Sequence, residues 1–282
     1  MNNRRSTIQT LRGFCCGIFK LIGQTVRVFW KLGVVFIACN CSLTKCIRER
    51  NVSVIKLALM NANYVQRLRM TFSKGGAARY TSHLDLARAL ERALNRAKIP
   101  VAYTQGFNRR PRMQMATALP LGYTSEYELS DIMLLEPMEA EAARVQLMSK
   151  MAPGIDVFKM EEVPIEATSL QASTIETTYM ATLLDPYDVA LLQKQVDKLL
   201  AQERIMMEKI RKKKVKQFDL RPLIIDLKTQ ESDEGLAQIW MRLYLQPSKT
   251  GRPDDVLKFL NLDPLDARIH RLKIVLEGEI GD

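Results

Sequence analysis

The stretch "VQRLRMTFSKGGAARYTSHLDLARALERALNRAKIPVAYTQ", residues 65–105, decides how this chain folds. Its opening, "VQRLRMTFS", alternates apolar and polar side chains, the period-two pattern of a strand with one buried face. "GG" at 75 and 76 turns the chain. "SHLDLARALERALNRAK" then predicts a helix. Ser82 is a good N-cap, and Asp85 stands where a side chain can reach back to the cap. Leu84, Ala87, Leu90, Leu94 and Ala97 fall on one stripe at helical spacing. Pro100 stops the helix, and "VAYTQ" is a short second strand ahead of the loop that follows.

Outward from there, "YELSDIMLLE" reads as a strand and "EAEAARVQLMSKM" as a helix ended by Pro153 and Gly154. "IDVFKMEEV" closes the set. Strand, helix, strand, strand, helix, strand is the split βαβ order. After a short linker, "PIEATSLQAST", the order recurs. "TTYMATLL" is a strand, "PYDVALLQKQVDKLLAQ" a helix, and "VKQFDLRPLIIDLKT" one long strand region that Pro222 bends or places at an edge. "GLAQIWMRLYLQ" is a strand, "RPDDVLKFLN" a short helix and "RIHRLKIVLE" the last strand. The expected fold class is α+β, with two tandem ferredoxin-like (βαββαβ) halves, 65–164 and 174–280, packed together.

The net charge of +11 over 282 residues suggests a polyanionic partner, but its distribution weakens that reading. Residues 1–64 carry a net +9 and residues 65–282 only +2, so the body of the protein is nearly neutral. All five cysteines, Cys15, Cys16, Cys39, Cys41 and Cys46, also lie in the first part. They lack paired zinc-ligand spacings, and a body without Cys suits a reducing, cytoplasmic setting. Lys20, Arg27 and Lys31 break the apolar run there, leaving it too short to span a bilayer. Residues 1–59 read foremost as a mis-called start, with translation from Met60. A basic membrane-surface segment or a disordered extension are the other readings.

The body shows no self-sufficient catalytic engine. It has only His83 and His270, no Cys, no metal-ligand cluster and no glycine-rich phosphate loop. No catalytic residue and no cofactor is expected. The aromatic signature of RNA-recognition sheets is missing too. What remains is polar and basic. Asp85, Arg88, Arg92 and Asn95 share the helix face opposite the leucines, which is a solvated face or one wall of an anion site. "RKKKVK" at 211–216 reads as a solvated hairpin tip or a nucleic-acid contact. In "TQGFNRRPRMQ", Gly106 and Asn108 favour a turn and Pro111 restricts the chain beside Arg110 and Arg112. Such a stiffened loop of guanidinium forks suits phosphate or carboxylate recognition.

"RYTSHLDLARALERALNRAKIPVAYTQGFNRRPRMQMATALPLGYTSEYELSDI" resembles the radical-SAM-linked domain family, a bacterial domain of unknown function, whose members carry "S-H-L-D-L", "A-Y-S-x-G-F-N-P-R-P" and "A-L-P-L-G" at corresponding places. "FDLRPLI" and "RPDDVLKFLNLDP" resemble its later motifs, so the likeness runs from about Val65 to Glu277. Arg109 stands where the family commonly has Pro, and "MQMAT" departs from its usual run. Such domains occur fused to, or encoded beside, radical SAM proteins with a cobalamin-type domain, often near ribonuclease G genes. The resemblance implies a partner or substrate-presenting module in RNA modification. Arg88, Arg92, Arg109, Arg112 and Arg221 are then expected to hold RNA phosphates, tRNA among the candidates. Phe107 would stack on a base. Two other classes compete: an enzyme or small-molecule binder using His83 and Asp85, and a pure protein–protein adaptor. The loop "GFNRRPR" is expected to connect the second and third strands beside the start of the 82–98 helix, where free amides favour anions.

Overall fold

The computed structural model describes residues 64–278 other than 212–213 and 247–248. The extension 1–59 lies outside the described residues, as do Lys212 and Lys213 of the basic run. The chain forms β1 (Gln66–Lys74), α1 (His83–Arg96), β2 (Met113–Met115), β3 (Thr124–Leu134), α2 (Ala140–Met148) and β4 (Ile155–Glu162). A short helix, α3 (Leu170–Ser173), leads into β5 (Thr174–Leu183), α4 (Val189–Leu200), β6 (Met206–Arg211) and β7 (Lys214–Asp219). Then come β8 (Ile224–Glu231), β9 (Ala237–Gln246), β10 (Lys249–Thr250), α5 (Pro253–Phe259) and β11 (Ala267–Leu276). The protein is thus mixed α/β, with helices gathered on a large sheet and not alternating strictly with parallel strands.

Nine strands make one sheet in the order β10-β9-β5-β11-β3-β1-β4, with β2 added to β3 and β8 to β9. The first four strands run β2-β3-β1-β4, antiparallel throughout. The second set runs β8-β9-β5-β11, again antiparallel. One parallel contact joins the sets, where His270 and Arg271 of β11 meet Thr124 and Ser125 of β3. β2 occupies the other part of the same β3 edge, opposite Ser130, Asp131 and Ile132.

Helices α1 and α2 cover one face of the first set. Leu86, Leu90 and Leu94 pack with Leu68, Met70, Phe72 and Leu147. In the second set, Leu192, Val196 and Leu199 of α4 and Val256 of α5 pack on Ala181, Ile239, Met241 and Ile269. The expected leucine stripe of α1 is rotated. Leu86, Leu90, Ala93, Leu94 and Ala97 are buried, while Leu84 is 64% exposed. With 3.6 residues per turn, Leu84 points about 120° away from Leu90.

Two further differences from the sequence reading have local causes. The region "VKQFDLRPLIIDLKT" is not one strand. A 3-10 turn at Arg221–Leu223, built on Pro222, separates β7 from β8, and β7 pairs with β6 in a separate two-stranded sheet. A proline without an N–H ends the ladder there. β6 went unrecognised because its alternation is interrupted by paired methionines. The linker "PIEATSLQAST" is also no free tether. Leu170 of α3 is fully buried with Leu129, Ile274 and Leu276 on the sheet face away from α1 and α2. Arg67 holds the same segment by donating to the carbonyls of Ala167 and Thr168 at 2.7 and 3.1 Å.

Candidate functional site

The residues singled out in the sequence fall in three separate places. At the start of α1, the Ser82 hydroxyl accepts from the Asp85 amide at 3.2 Å and donates to the Asp85 carboxylate at 2.7 Å. Arg88 sits 3.4 Å from the other Asp85 oxygen, exposed, as an i,i+3 pair. The Ser82 hydrogen bond, with Arg88 beside it, holds the Asp85 carboxyl below its ordinary range. The helix start is therefore already occupied by a carboxylate of its own chain, which disfavours a second anion.

His83 faces inward. Its Nδ1 is buried with no hydrogen-bond partner among the described residues. Burial lowers its pKa; Glu128 opposes this, while Arg271 and Lys74 reinforce it. Because the folded pKa lies below the ordinary value of about 6.5, the unfolded chain takes up this proton first as pH falls. This contribution to stability is complete above about pH 6.5 and is lost as pH drops from there toward the folded pKa. Denaturant melts at pH 7.5 and 5.5 are expected to show a smaller acid loss for His83→Gln than for the parent. An equal loss in both excludes His83 as a source of the acid sensitivity.

The loop 104–111 lies elsewhere than expected. Ala102 donates to Met133 at 2.7 Å, Arg112 to Ala102 at 2.6 Å and Met133 to Arg112 at 3.1 Å. The chain thus leaves the second strand just after its start and returns to it at the same point, so the loop sits inside that strand and not between strands two and three. The Tyr103 hydroxyl donates to Asn95 in the last turn of α1 at 2.7 Å. The loop is therefore at the far end of α1 from His83. The physical reason is direction. The second strand starts where α1 ends and runs back toward the helix start, so an excursion near its beginning stays at the helix C-terminus. Within the loop Phe107 is fully exposed, and Asn108, Arg109 and Arg110 are exposed around it. Gly106 holds a φ of +145°, which favours glycine. Arg112 is half-buried at the base, its guanidinium carbon 4.8 Å from the Tyr64 ring centroid, a cation–π contact. Arg88, Arg92 and Asn95 run along the exposed side of α1 toward this loop. Arg221 joins neither group. It lies before β8, with β9, β5 and β11 between that strand and β3, and it donates to the Ile224 carbonyl at 3.2 Å. Arg211 of β6 and Lys214 of β7 are paired backbone positions, and the residues between them lie outside the described ones.

The segment that does approach the start of α1 is the true connection between β2 and β3. Gly122 donates to the Arg79 carbonyl at 2.9 Å. Here a cleft of about 520 Å3 opens between the two strand sets, lined by Arg79, Tyr80, Leu121, Tyr123, Lys258 and Arg268, among others. Burial first, then the Asp254 carboxylate that accepts its hydroxyl, pushes the Tyr123 phenol up, so it stays a neutral donor. None of the expected site residues lines this cleft. Part of its wall comes from the stretches "RYTSHLDL", "ALPLG" and "RPDDVLKFLNLDP", which also carry the family resemblance, while Leu265 and Arg268 come from outside them. That coincidence was the available signal.

Beneath the cleft and α1 lies a buried ionic cluster. Arg271 of β11 donates to both oxygens of Glu128 on β3 at 2.8 and 2.9 Å, to the Tyr179 hydroxyl at 2.9 Å and to the Ala118 carbonyl at 3.1 Å. Arg271 and Glu128 are both 1% exposed. Lys74 is fully buried and donates to the Thr81 carbonyl at 3.0 Å. Burial lowers its pKa against the raising effect of Glu128. No group of three or more His, Cys, Asp or Glu among the described residues is arranged to hold a metal. No helix among them is long and apolar enough to cross a membrane.

A mixed α/β protein with one large sheet, a basic loop and an inter-set cleft is the class these features define. The chain belongs to the bacterial family described as "Uncharacterized protein conserved in bacteria (DUF2344)", whose model matches residues 67–253. No curated protein matches the sequence. Among solved structures, it is similar to a chain of a Cbf5–Nop10–Gar1 complex at 8% identity and a TM-score of 0.40, covering 78% of this chain and 50% of that one. The chain thus spans about half the length of that protein. It is also similar to a "putative glycine cleavage system transcriptional repressor" at 11% identity and a TM-score of 0.22, covering 75% of this chain and 98% of that one. At such scores neither likeness bears on function.

Proposed function

We propose that the chain is a non-catalytic accessory module of the cytoplasm that presents RNA to a radical SAM enzyme with a cobalamin-type domain. Each strand set is then a ferredoxin-like unit: the orders β4-β1-β3-β2 and β11-β5-β9-β8 support that reading, with the β6–β7 hairpin inserted into the second. The observation that carries the RNA reading is Phe107. A fully exposed phenyl ring on a loop tip gains nothing from the core and forgoes the burial that a Phe normally obtains. Flanked by Arg109 and Arg110, it offers a stacking face beside phosphate-binding cations, the pairing that single-stranded nucleic acid recognition uses. Arg88 and Arg92 extend the same basic surface along α1. The partner enzyme is inferred from the family resemblance alone.

Fluorescence anisotropy with short single-stranded RNA tests this. Affinity should fall as salt rises. Phe107→Ala should weaken binding by about 1–3 kcal/mol, the range for one stacked base, with an unchanged melting temperature. Salt-independent binding, or a Phe107→Ala variant that binds as well as the parent, sinks the proposal. Co-purification of the radical SAM partner before and after nuclease treatment separates an RNA bridge from direct protein contact.

A further inference from the structure

The cleft between the two strand sets holds three cations that no carboxylate neutralises. Arg79, Lys258 and Arg268 line it, and none of them makes an ion pair among the described residues. The two acids lining the same space are engaged by this chain. Asp254 accepts from the Tyr123 hydroxyl, and Asp263 accepts from the Leu265 amide at 2.9 Å. The cleft therefore presents free positive charge beside negative charge that is already hydrogen-bonded. Concave walls of low dielectric strengthen that attraction for an anion.

Its other lining is apolar and left in water. Tyr80 is 65% exposed, Leu121 63% and Leu265 85%. Three large side chains this exposed around one concavity, contributed by both strand sets, mark a surface built to be covered. Tyr80 adds a planar element. The Arg79 guanidinium carbon lies 4.5 Å over its ring centroid and the guanidinium donates to its hydroxyl, so the two make one planar, cationic element. Phosphate chemistry matches the cations, and a flat heterocycle matches the Tyr80–Arg79 face and the leucine and proline walls. A volume of about 520 Å3 is in the range of small-ligand pockets.

We infer that this cleft is a nucleotide site that takes a mononucleotide, with the phosphate on Lys258 and Arg268 and the base against Tyr80, Leu121 and Leu265. The site is separate from the Phe107 loop, which lies at the other end of α1, and it does not depend on the RNA reading. Tyr123 and Asp254 form its floor. The Tyr123 hydroxyl already donates to Asp254, so a ligand meets Tyr123 through its remaining acceptor capacity.

Isothermal titration of the full chain with the four ribonucleoside monophosphates, the matching nucleosides and inorganic phosphate tests this. At least one monophosphate is expected to bind, with affinity falling as salt rises. Its nucleoside and inorganic phosphate are each expected to bind at least tenfold more weakly. Arg268→Ala and Lys258→Ala each remove a cation from the cleft wall and are expected to weaken binding tenfold or more. Lys194→Ala, an exposed cation on α4 away from the cleft, is expected to leave it unchanged. Absence of binding for all four monophosphates overturns the inference. So does inorganic phosphate binding as tightly as the nucleotide, or binding that survives both cleft variants. Loss of mononucleotide binding with intact Phe107-dependent RNA binding sinks this site alone; the reverse outcome sinks the RNA surface alone.

Discussion

Glu128→Gln is expected to destabilise the fold by about 3–5 kcal/mol, the range for breaking a buried ion pair by removing one partner. The substitution keeps the shape of the side chain and deletes its charge. Arg271 then stays in the interior with its guanidinium uncompensated, since Tyr179 and the Ala118 carbonyl are neutral acceptors. Lys74 loses the carboxylate that offsets its burial, so its amine is pushed further toward the neutral form. Against a total stability of roughly 5–15 kcal/mol for an ordinary domain, that loss is a large share. Urea unfolding at pH 7 reads it directly. Removing both charges, with Glu128→Gln and Arg271→Met together, is expected to cost less than the two single losses combined, because no charge is left stranded. Additive losses show that the pair does not act as a unit.

The second large effect belongs to Asp131. This carboxylate has no exposed surface and receives two guanidinium groups, Arg67 through Nε at 2.9 Å and Arg69 through Nε at 2.8 Å. Asp131→Asn leaves two cations facing a neutral amide whose NH2 end repels them. The expected cost is again about 3–5 kcal/mol. Here the damage should also spread along the chain. Arg67 is the residue that ties down Ala167 and Thr168, so the crossing between the two strand sets loses its anchor when Arg67 loses its counter-ion. Limited proteolysis of Asp131→Asn should cut first within residues 164–169, before the parent is cut there. A variant that loses stability but keeps the parent's cleavage pattern separates the ion pair from the crossing.

These two clusters explain which parts of the fold could be read in advance. Alternation placed β1, β3, β5 and β9, and the Ser82 cap and Pro100 bracketed α1. Those signals are local, carried within one element. In the same alternation Arg67, Arg69 and Asp131 occupy the face that a half-buried strand normally turns to water. The linker and α3 lie over that face and bury it, and nothing in the linker's composition announces a covering role. The shift of the α1 stripe by two residues has a similar origin, since four leucines at 84, 86, 90 and 94 fit two helix phases and only tertiary packing chooses between them.

The candidate site divides the same way. That "GFNRRPR" is an exposed basic loop was legible from Gly106, Asn108 and Pro111. Its position was not, because the expectation took the loop to follow a finished strand, whereas Arg112 returns to the ladder and carries the strand on. The topological argument for a loop beside the helix start holds for residues 116–123 instead. The cleft itself gathers residues 79–80, 120–123, 184, 254, 258, 263–265 and 267–269, brought together where β11 docks on β3. No spacing rule reaches across 146 positions, the separation of Thr124 and His270.

The shared edge of β3 constrains how such a protein can be taken apart in evolution. β2 covers three residues of that edge and β11 two others, so neither strand set closes its own sheet. A gene encoding the first set alone would yield a chain with open main-chain donors and acceptors at Thr124 and Ser125, a template for pairing with any passing strand. A gene for the second alone would strip β11 of its outer neighbour and leave Arg271 searching for an acid. Each half carries the other's protection against sticking to foreign chains. Duplication, shuffling or fusion can therefore act on the two strand sets as one heritable piece, and separating them exposes both at once.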